Sequence, residues 1–232
     1  MRPSQAPGPE FESPSVSVSA PDTEGVWRRF APLVWLYAVL AGTTLVFGLV
    51  SHVEADPALD LVIMGIDTAV VLGFVARYWS DLAPLLVVRM PSARATALTL
   101  LTSVVFFLVL ETAFGVMESQ GIPFGSVSAD YLDSGWPVWA VYVAVAIAPP
   151  FYEELAFRGV LQSALARFVG VREALLLQAA LFSVLHLAPI IFLTHFAMGL
   201  AFGWIRDKTQ SLYPAFVIHA LWNGWVVWKE LA

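Results

Sequence analysis

Apolar residues run along this chain in long continuous blocks rather than in alternation. Seven blocks stand out, at residues 31–50, 59–78, 95–117, 137–151, 173–188, 189–205 and 212–228. Several approach the ~20 residues that an α-helix needs to cross a ~30 Å hydrocarbon core. The period-two alternation of a membrane β-barrel is missing. The pattern predicts an all-α fold, a polytopic helical membrane protein with about seven or eight transmembrane helices. The eighth depends on the short run Leu82–Val88, read as an interfacial or re-entrant piece. Residues 1–25 are different: Pro, Ser, Gly and acidic residues dominate, without apolar periodicity. They are expected to form a disordered cytoplasmic tail, and no apolar stretch follows a basic start as in a signal peptide. Residues 26–232 are then one membrane-embedded domain.

Composition agrees with the pattern. The chain is 59% hydrophobic and 13% charged, with a mean hydropathy of +0.75, too apolar for a soluble domain of this length. No basic patch of the kind nucleic acid requires is present. Cysteine is absent, which excludes disulfides, thiolate metal sites and a cysteine nucleophile. Basic residues fix an orientation. With the N-terminus in the cytoplasm, Arg28, Arg29, Arg77, Arg89, Arg94, Arg158, Arg167, Arg172, Arg206 and Lys208 all fall inside. The acidic loops at 54–60 and 118–133 are then external, and only Lys229 breaks the rule. Few lysines beside many Ala, Val, Leu and Arg suggest a bacterial protein, hence the bacterial cytoplasmic (inner) membrane.

Charges interrupt the apolar pattern at one place. In Pro149-Pro150-Phe151-Tyr152-Glu153-Glu154-Leu155-Ala156-Phe157-Arg158-Gly159, two acids and a base sit where the apolar periodicity continues to about Phe168. A charge in the bilayer costs a few kcal/mol or more, so an ionisable residue there is a candidate functional residue. One helix from Val138 to Phe168 would be ~45 Å long at 1.5 Å per residue. The Pro149-Pro150 pair is therefore expected to break or kink it and to leave Glu153 and Glu154 on the first turn after the kink. Glu154 and Arg158 are i,i+4 on one face and should pair. Glu153 lies ~100° around the axis and is left free for a proton or a ligand. A buried ion cluster without chemistry is the plainer alternative for this segment.

Two further polar positions interrupt apolar runs. His186 ends the run Phe182-Ser183-Val184-Leu185, and His219 and Asn223 share one helix face at i,i+4. Desolvated polar groups must find partners, and meeting one another is the cheapest arrangement. Asp67 and Glu111 are lone acids within blocks, without an assigned role. His195, nine residues after His186, reads as a core or interfacial histidine, with an extra ligand or a substrate-gating residue as the alternatives. Gly199 and Gly203 form a GxxxG step that permits close helix packing. Trp27, Trp136 and Trp228 at block ends suit interfacial anchoring.

EExxxR at Glu153–Arg158, FxxxH at Phe182–His186 and HxxxN at His219–Asn223, in that order on successive helices, resemble the CPBP family. This is the family of CAAX prenyl proteases and bacteriocin-processing enzymes, also called Abi. The likeness covers a motif core of residues 137–228. It implies that residues 26–232 form a protease domain, an intramembrane CAAX-type glutamic endopeptidase. By that likeness Glu153 and His186 activate a water, His219 and Asn223 hydrogen-bond the oxyanion, and Glu154 and Arg158 support the site. Oxyanion donors act strongly in a dry site.

No cofactor is needed for that chemistry. A zinc-dependent version would bind Zn²⁺ through Glu153, His186 and His219 with one position open, although HExxH spacing is lacking and Asn223 is a poor zinc ligand. The partners implied are the lipid bilayer and a membrane-associated peptide or protein substrate, with no nucleic acid. Eukaryotic members act on prenylated C-terminal CaaX sequences, whereas a bacterial member is expected to trim a peptide, a leader or a membrane-sorting segment. The rivals are a non-proteolytic peptide-binding, immunity or scaffold protein, which should tolerate Glu153→Gln, and a proton-coupled transporter, for which no internal repeat is visible.

Overall fold

A computed structural model describes residues 23–51, 57–88, 91–122, 126 and 128–232. Helices dominate, and no strand occurs among the described residues. They are α1 (Thr23–Ser51), α2 (Pro57–Arg77), the short α3 (Trp79–Leu82), α4 (Ala93–Ser119), the short α5 (Ala129–Asp133), α6 (Val138–Val169), α7 (Val171–Leu185), α8 (Phe192–Thr209) and α9 (Tyr213–Leu231). Contacts divide the chain into two units, Met1–Pro32 and Leu33–Ala232. The described part of the first is the opening of α1, where Glu24 and Arg28 form an exposed i,i+4 ion pair at 3.8 Å. The tail expected at 1–25 lies outside the described residues except for Thr23–Gly25, which are helical.

Five helical stretches are long and apolar enough to cross a membrane: Trp27–Val50, Pro57–Arg77, Ala93–Ser119, Val138–Val169 and Pro189–Thr209. The protein is therefore a helical integral membrane protein, with five candidate spans where the apolar blocks suggested seven or eight. The difference lies in the two helices that carry histidine motifs. α7 has 15 residues, ~22 Å at the helical rise, short of a ~30 Å core. α9 has 19 residues, but His219, Asn223 and three tryptophans dilute its hydropathy. The run Leu82–Val88 forms the end of α3 and a 3₁₀ turn at Ala83–Leu85, tied to the start of α9 by Leu212 N–H donating to Leu85 O at 3.0 Å.

A second difference concerns the proline pair. α6 is not broken at Pro149-Pro150. It continues as one helical path, widened to π-helical turns at Tyr142–Ile147 and again at Glu154–Leu161. Proline lacks an N–H, and its ring crowds the carbonyl four residues back. A wide turn just before the pair relieves that crowding, and Ile147 takes up part of the distortion at φ −113°. Such π-bulges are frequent at functional sites.

α7 and α8 are held face to face by small residues and buried amides. A Cβ on Gly199 would fall 2.6 Å from Ala179 Cα, and one on Gly203 would fall 2.6 Å from Gln178 Nε2. The GxxxG step thus brings backbones together as its pattern suggested. The amides exploit that approach: Gln178 Nε2 donates to Gly199 O at 2.7 Å and Gln162 Nε2 to Gly203 O at 3.1 Å. Ser183 Oγ donates to Phe192 O at 2.5 Å and closes the α7–α8 turn. Phe106 of α4 completes this side, with ring centroids 5.0 Å from Phe202 and 5.6 Å from Trp222.

Candidate active site

The wide turns of α6 set the site. Every residue from Glu154 to Leu161 is buried, and Glu153 just before them is 8% exposed. Glu154 and Arg158 pair as their spacing predicts, with Arg158 Nη1 3.0 Å from Glu154 Oε1. The guanidinium makes no hydrogen bond there, so charge rather than a directed bond joins the two. Arg158 is fully buried, and aromatic rings take up what the carboxylate does not. Its Cζ lies 4.3 Å from the Phe182 centroid and 5.3 Å from that of Phe202. Such a desolvated cation–π contact is worth about 2 kcal/mol.

His219 joins the two acids. Its Nδ1 is 2.9 Å from Glu154 Oε1, and its Nε2 is 3.7 Å from Glu153 Oε2. Glu154 accepts, so Nδ1 carries a hydrogen and donates it. In the neutral ring Nε2 then has the lone pair and faces Glu153. Arg158 and His219, from α6 and α9, thus converge on one oxygen of Glu154.

Asn223, one turn further along α9, donates from Nδ2 to Val145 O at 3.0 Å. The physical reason lies in the prolines. In an α-turn Val145 O would accept from residue 149, and in a π-turn from residue 150, and both are proline. Neither has an N–H, so the carbonyl is orphaned within α6 and a buried orphan carbonyl must be satisfied from elsewhere. Asn223 does so with one of its two amide hydrogens.

His186 caps α7, and its Nδ1 lies 2.9 Å from Phe182 O, four residues back in the same helix. A carbonyl only accepts, so Nδ1 again carries the hydrogen and Nε2 the lone pair. Leu187 follows at φ +49°, turning the chain towards α8. Phe182 is the hub of the arrangement. Its centroid lies 4.9 Å from His186, 6.0 Å from His219 and 6.1 Å from His195.

The four candidates of the motifs and their two supports therefore occupy one region, but as two groups. Glu153, Glu154, Arg158 and His219 make direct contacts, and Asn223 is anchored on α6. His186 lies across Phe182 and pairs instead with His195, whose ring is 4.0 Å away. Pattern reading favoured a core or interfacial role for His195 over an extra ligand or a gating residue; it could not see the ring contact with His186, because His195 starts the next helix. Phe202 and Gln162 were likewise invisible as site-supporting residues.

Asp67 has a partner, Thr43 Oγ1 at 2.8 Å, and Glu111 pairs with Lys229 at 3.1 Å and accepts from Trp225 Nε1 at 2.6 Å. Two apolar hollows of about 480 and 550 Å³ flank the first half of α6, and neither is lined by the charged cluster. Among the described residues no three His, Asp or Glu side chains gather as a metal-binding group. His219 and His186 each tie Nδ1–H to an oxygen and leave the Nε2 lone pair free.

Residues 135–225 match the family model described as type II CAAX prenyl endopeptidase Rce1-like. That span holds all three motifs and α6 to α8, and ends within α9. No curated protein and no solved structure matches the chain.

Proposed function

From the match of residues 135–225 to the type II CAAX prenyl endopeptidase Rce1-like family model, we propose that this protein is an intramembrane endopeptidase of the CPBP (CAAX protease) family. It cleaves a peptide bond near the membrane in a membrane-associated peptide or protein. The observation that carries the reading is the contact of Glu153 and Glu154 with His219, from two helices, in a buried cluster closed by Arg158. Ionic groups so deep are costly, and a mere structural filler would be cheaper as hydrocarbon.

The charges of the cluster suggest how it works. With Arg158 positive and both glutamates negative, one proton held between Glu153 Oε2 and His219 Nε2 makes the cluster neutral. Placed on His219, that proton frees Glu153 as the general base and makes Nε2 a donor. Glu153 then takes a proton from water as its oxygen attacks the carbonyl carbon. The other O–H of that water is held by the Nε2 lone pair of His186. The oxyanion is met by His219 Nε2–H and by the second amide hydrogen of Asn223. Glu153 returns its proton to the amine nitrogen as the C–N bond breaks. Positioned acid–base groups of this kind contribute about 10²–10⁴-fold, and an oxyanion donor about 10²–10³-fold. Glu154 and Arg158 support the site by fixing His219. No step is routed through a metal.

The same reading places the protein in a bacterial cytoplasmic membrane with the N-terminus inside, and counts α7 and α9 as partial or complete additional spans. Single cysteines introduced into this cysteine-free chain and labelled from either side would report that topology.

The decisive experiment is cleavage of membrane-anchored peptides by purified wild type and Glu153→Gln in detergent, with and without a chelator. We expect chelator-resistant cleavage by the wild type, and a loss of about 10²-fold or more in the variant. Loss of cleavage with chelator would favour the zinc version. Binding without cleavage by both proteins would favour a peptide-binding or scaffold protein.

A further inference from the structure

His195 is the one histidine of the region that the reaction above leaves unused, and its surroundings are built rather than incidental. Its Nδ1 lies 3.1 Å from Ile191 O and 3.3 Å from Thr194 Oγ1. The Thr194 hydroxyl donates its hydrogen to Ile191 O at 2.7 Å. Both atoms facing Nδ1 can therefore only accept, so Nδ1 carries the hydrogen and Nε2 the lone pair. His186 is held in the same tautomer by Phe182 O. Two helices thus present two imidazoles in ring contact, each with its N–H tied to its own helix and its basic nitrogen left over. The centroid distance of 4.0 Å is ring packing. A metal clamped between two imidazole nitrogens would hold the rings about an ångström further apart, given Zn–N bonds of about 2.0–2.1 Å.

Peptide hydrolysis in a dry site has a proton to move, since the new acid must lose one and the new amine must gain one. The attacking water brings two hydrogens. In the reading proposed above, the first goes through Glu153 to the leaving amine. The second stays on the oxygen that becomes the new carboxyl group, and it must leave if the product is to depart as a carboxylate.

We propose that His195 is the proton-carrying partner of His186 in this site, a role that rests on the protease reading. The second water proton passes from the new carboxylic acid to Nε2 of His186, leaving the carboxylate and an imidazolium. It is then handed to Nε2 of His195, beside the turn at 186–191. His186 returns to its neutral form and can receive the next water. Across Phe182 stand Arg158 of α6 and His219 of α9, each in contact with a glutamate of α6.

The test uses the full chain in detergent with a cleaved membrane-anchored peptide, comparing wild type, His195→Phe and His195→Ala. Phenylalanine keeps the ring packing and removes the base. We expect His195→Phe to lower kcat at least tenfold with KM unchanged, and to change the acid limb of the pH–kcat profile. His195→Ala should be partly rescued by added imidazole. Wild-type kcat and profile in His195→Phe would overturn the proposal and leave the residue as packing. A second readout needs no turnover: nitrogen NMR of ¹⁵N-histidine-labelled protein should show both His186 and His195 as Nδ1–H tautomers, and an Nε2–H His195 would overturn it. If the wild type cleaves no peptide, the protease reading and this role fall together. If it cleaves and His195→Phe is unimpaired, only this role falls.

Discussion

α4 and α6 are both apolar enough to cross a bilayer, yet they are opposite kinds of helix. Over its span window α4 is 11% buried within the protein and α6 is 56%. α4 turns Leu100, Leu101, Val104, Val105, Leu108 and Val109 outward and touches its neighbours mainly through Phe106 and Leu110. Lipid solvates such a helix on most sides, and its acid Glu111, towards the C-terminal end, finds Lys229 and Trp225 of α9. α6 carries Glu153, Glu154 and Arg158 inward and distorts its own backbone to do so. The contrast teaches that hydropathy measures the ability to cross a membrane, whereas the defects in it mark where partners from other helices are required.

Arg158→Ala should break the comparison most severely. It leaves Glu154 buried beside Glu153 without its cation and opens a void between Phe182 and Phe202. Removing one partner of a buried ion pair costs about 3–5 kcal/mol. We expect a large drop in the thermal midpoint in detergent, and protein that is difficult to recover. A variant as stable as wild type would show that the rings, not the charge pair, hold this region.

Asn223→Ala should have an intermediate effect and sharpen the comparison. It strips Val145 O of the only donor that the proline pair leaves it, at a cost of about 1–3 kcal/mol for an unsatisfied buried group. Replacing Pro149 by Ala in the same variant restores an N–H one turn away and should recover part of that stability. No recovery in the double variant would mean that Asn223 matters for another reason. If Asn223 also serves the oxyanion, activity stays low even where stability returns.

Leu108→Ala on the lipid face of α4 should do least. The residue is 63% exposed within the protein. Substitutions away from packed features stay within about 0.5 kcal/mol. A drop comparable to that of Asn223→Ala would show that α4 has a protein partner on that face.

Much of the fold was legible in the chain. Long apolar blocks foretold helices rather than a barrel, because a lipid-facing backbone must satisfy its own hydrogen bonds. The helix expected at 173–188 was overlong, since apolar character continues through the turn at Leu187 where the helix stops. The proline pair was read as a break or a kink because proline removes an intrahelical bond; the helix is not broken, and the chain widens its turns and borrows a donor from α9. Neither compensation leaves a mark in the local pattern.

What the sequence determined by itself was confined to neighbours along one helix. It set the Glu154–Arg158 pair at i,i+4, the His219–Asn223 face, the small-residue step at Gly199 and Gly203, and the order of the three motifs. The tertiary structure decided who meets whom across helices: Glu154 with His219 over 65 residues, Asn223 with Val145 O over 78, Arg158 between Phe182 and Phe202, and His195 against His186. Periodicity states which side of a helix a residue occupies. Only the packing of helices, set by close approaches such as that of Gly199 to Ala179, states what stands on the other side.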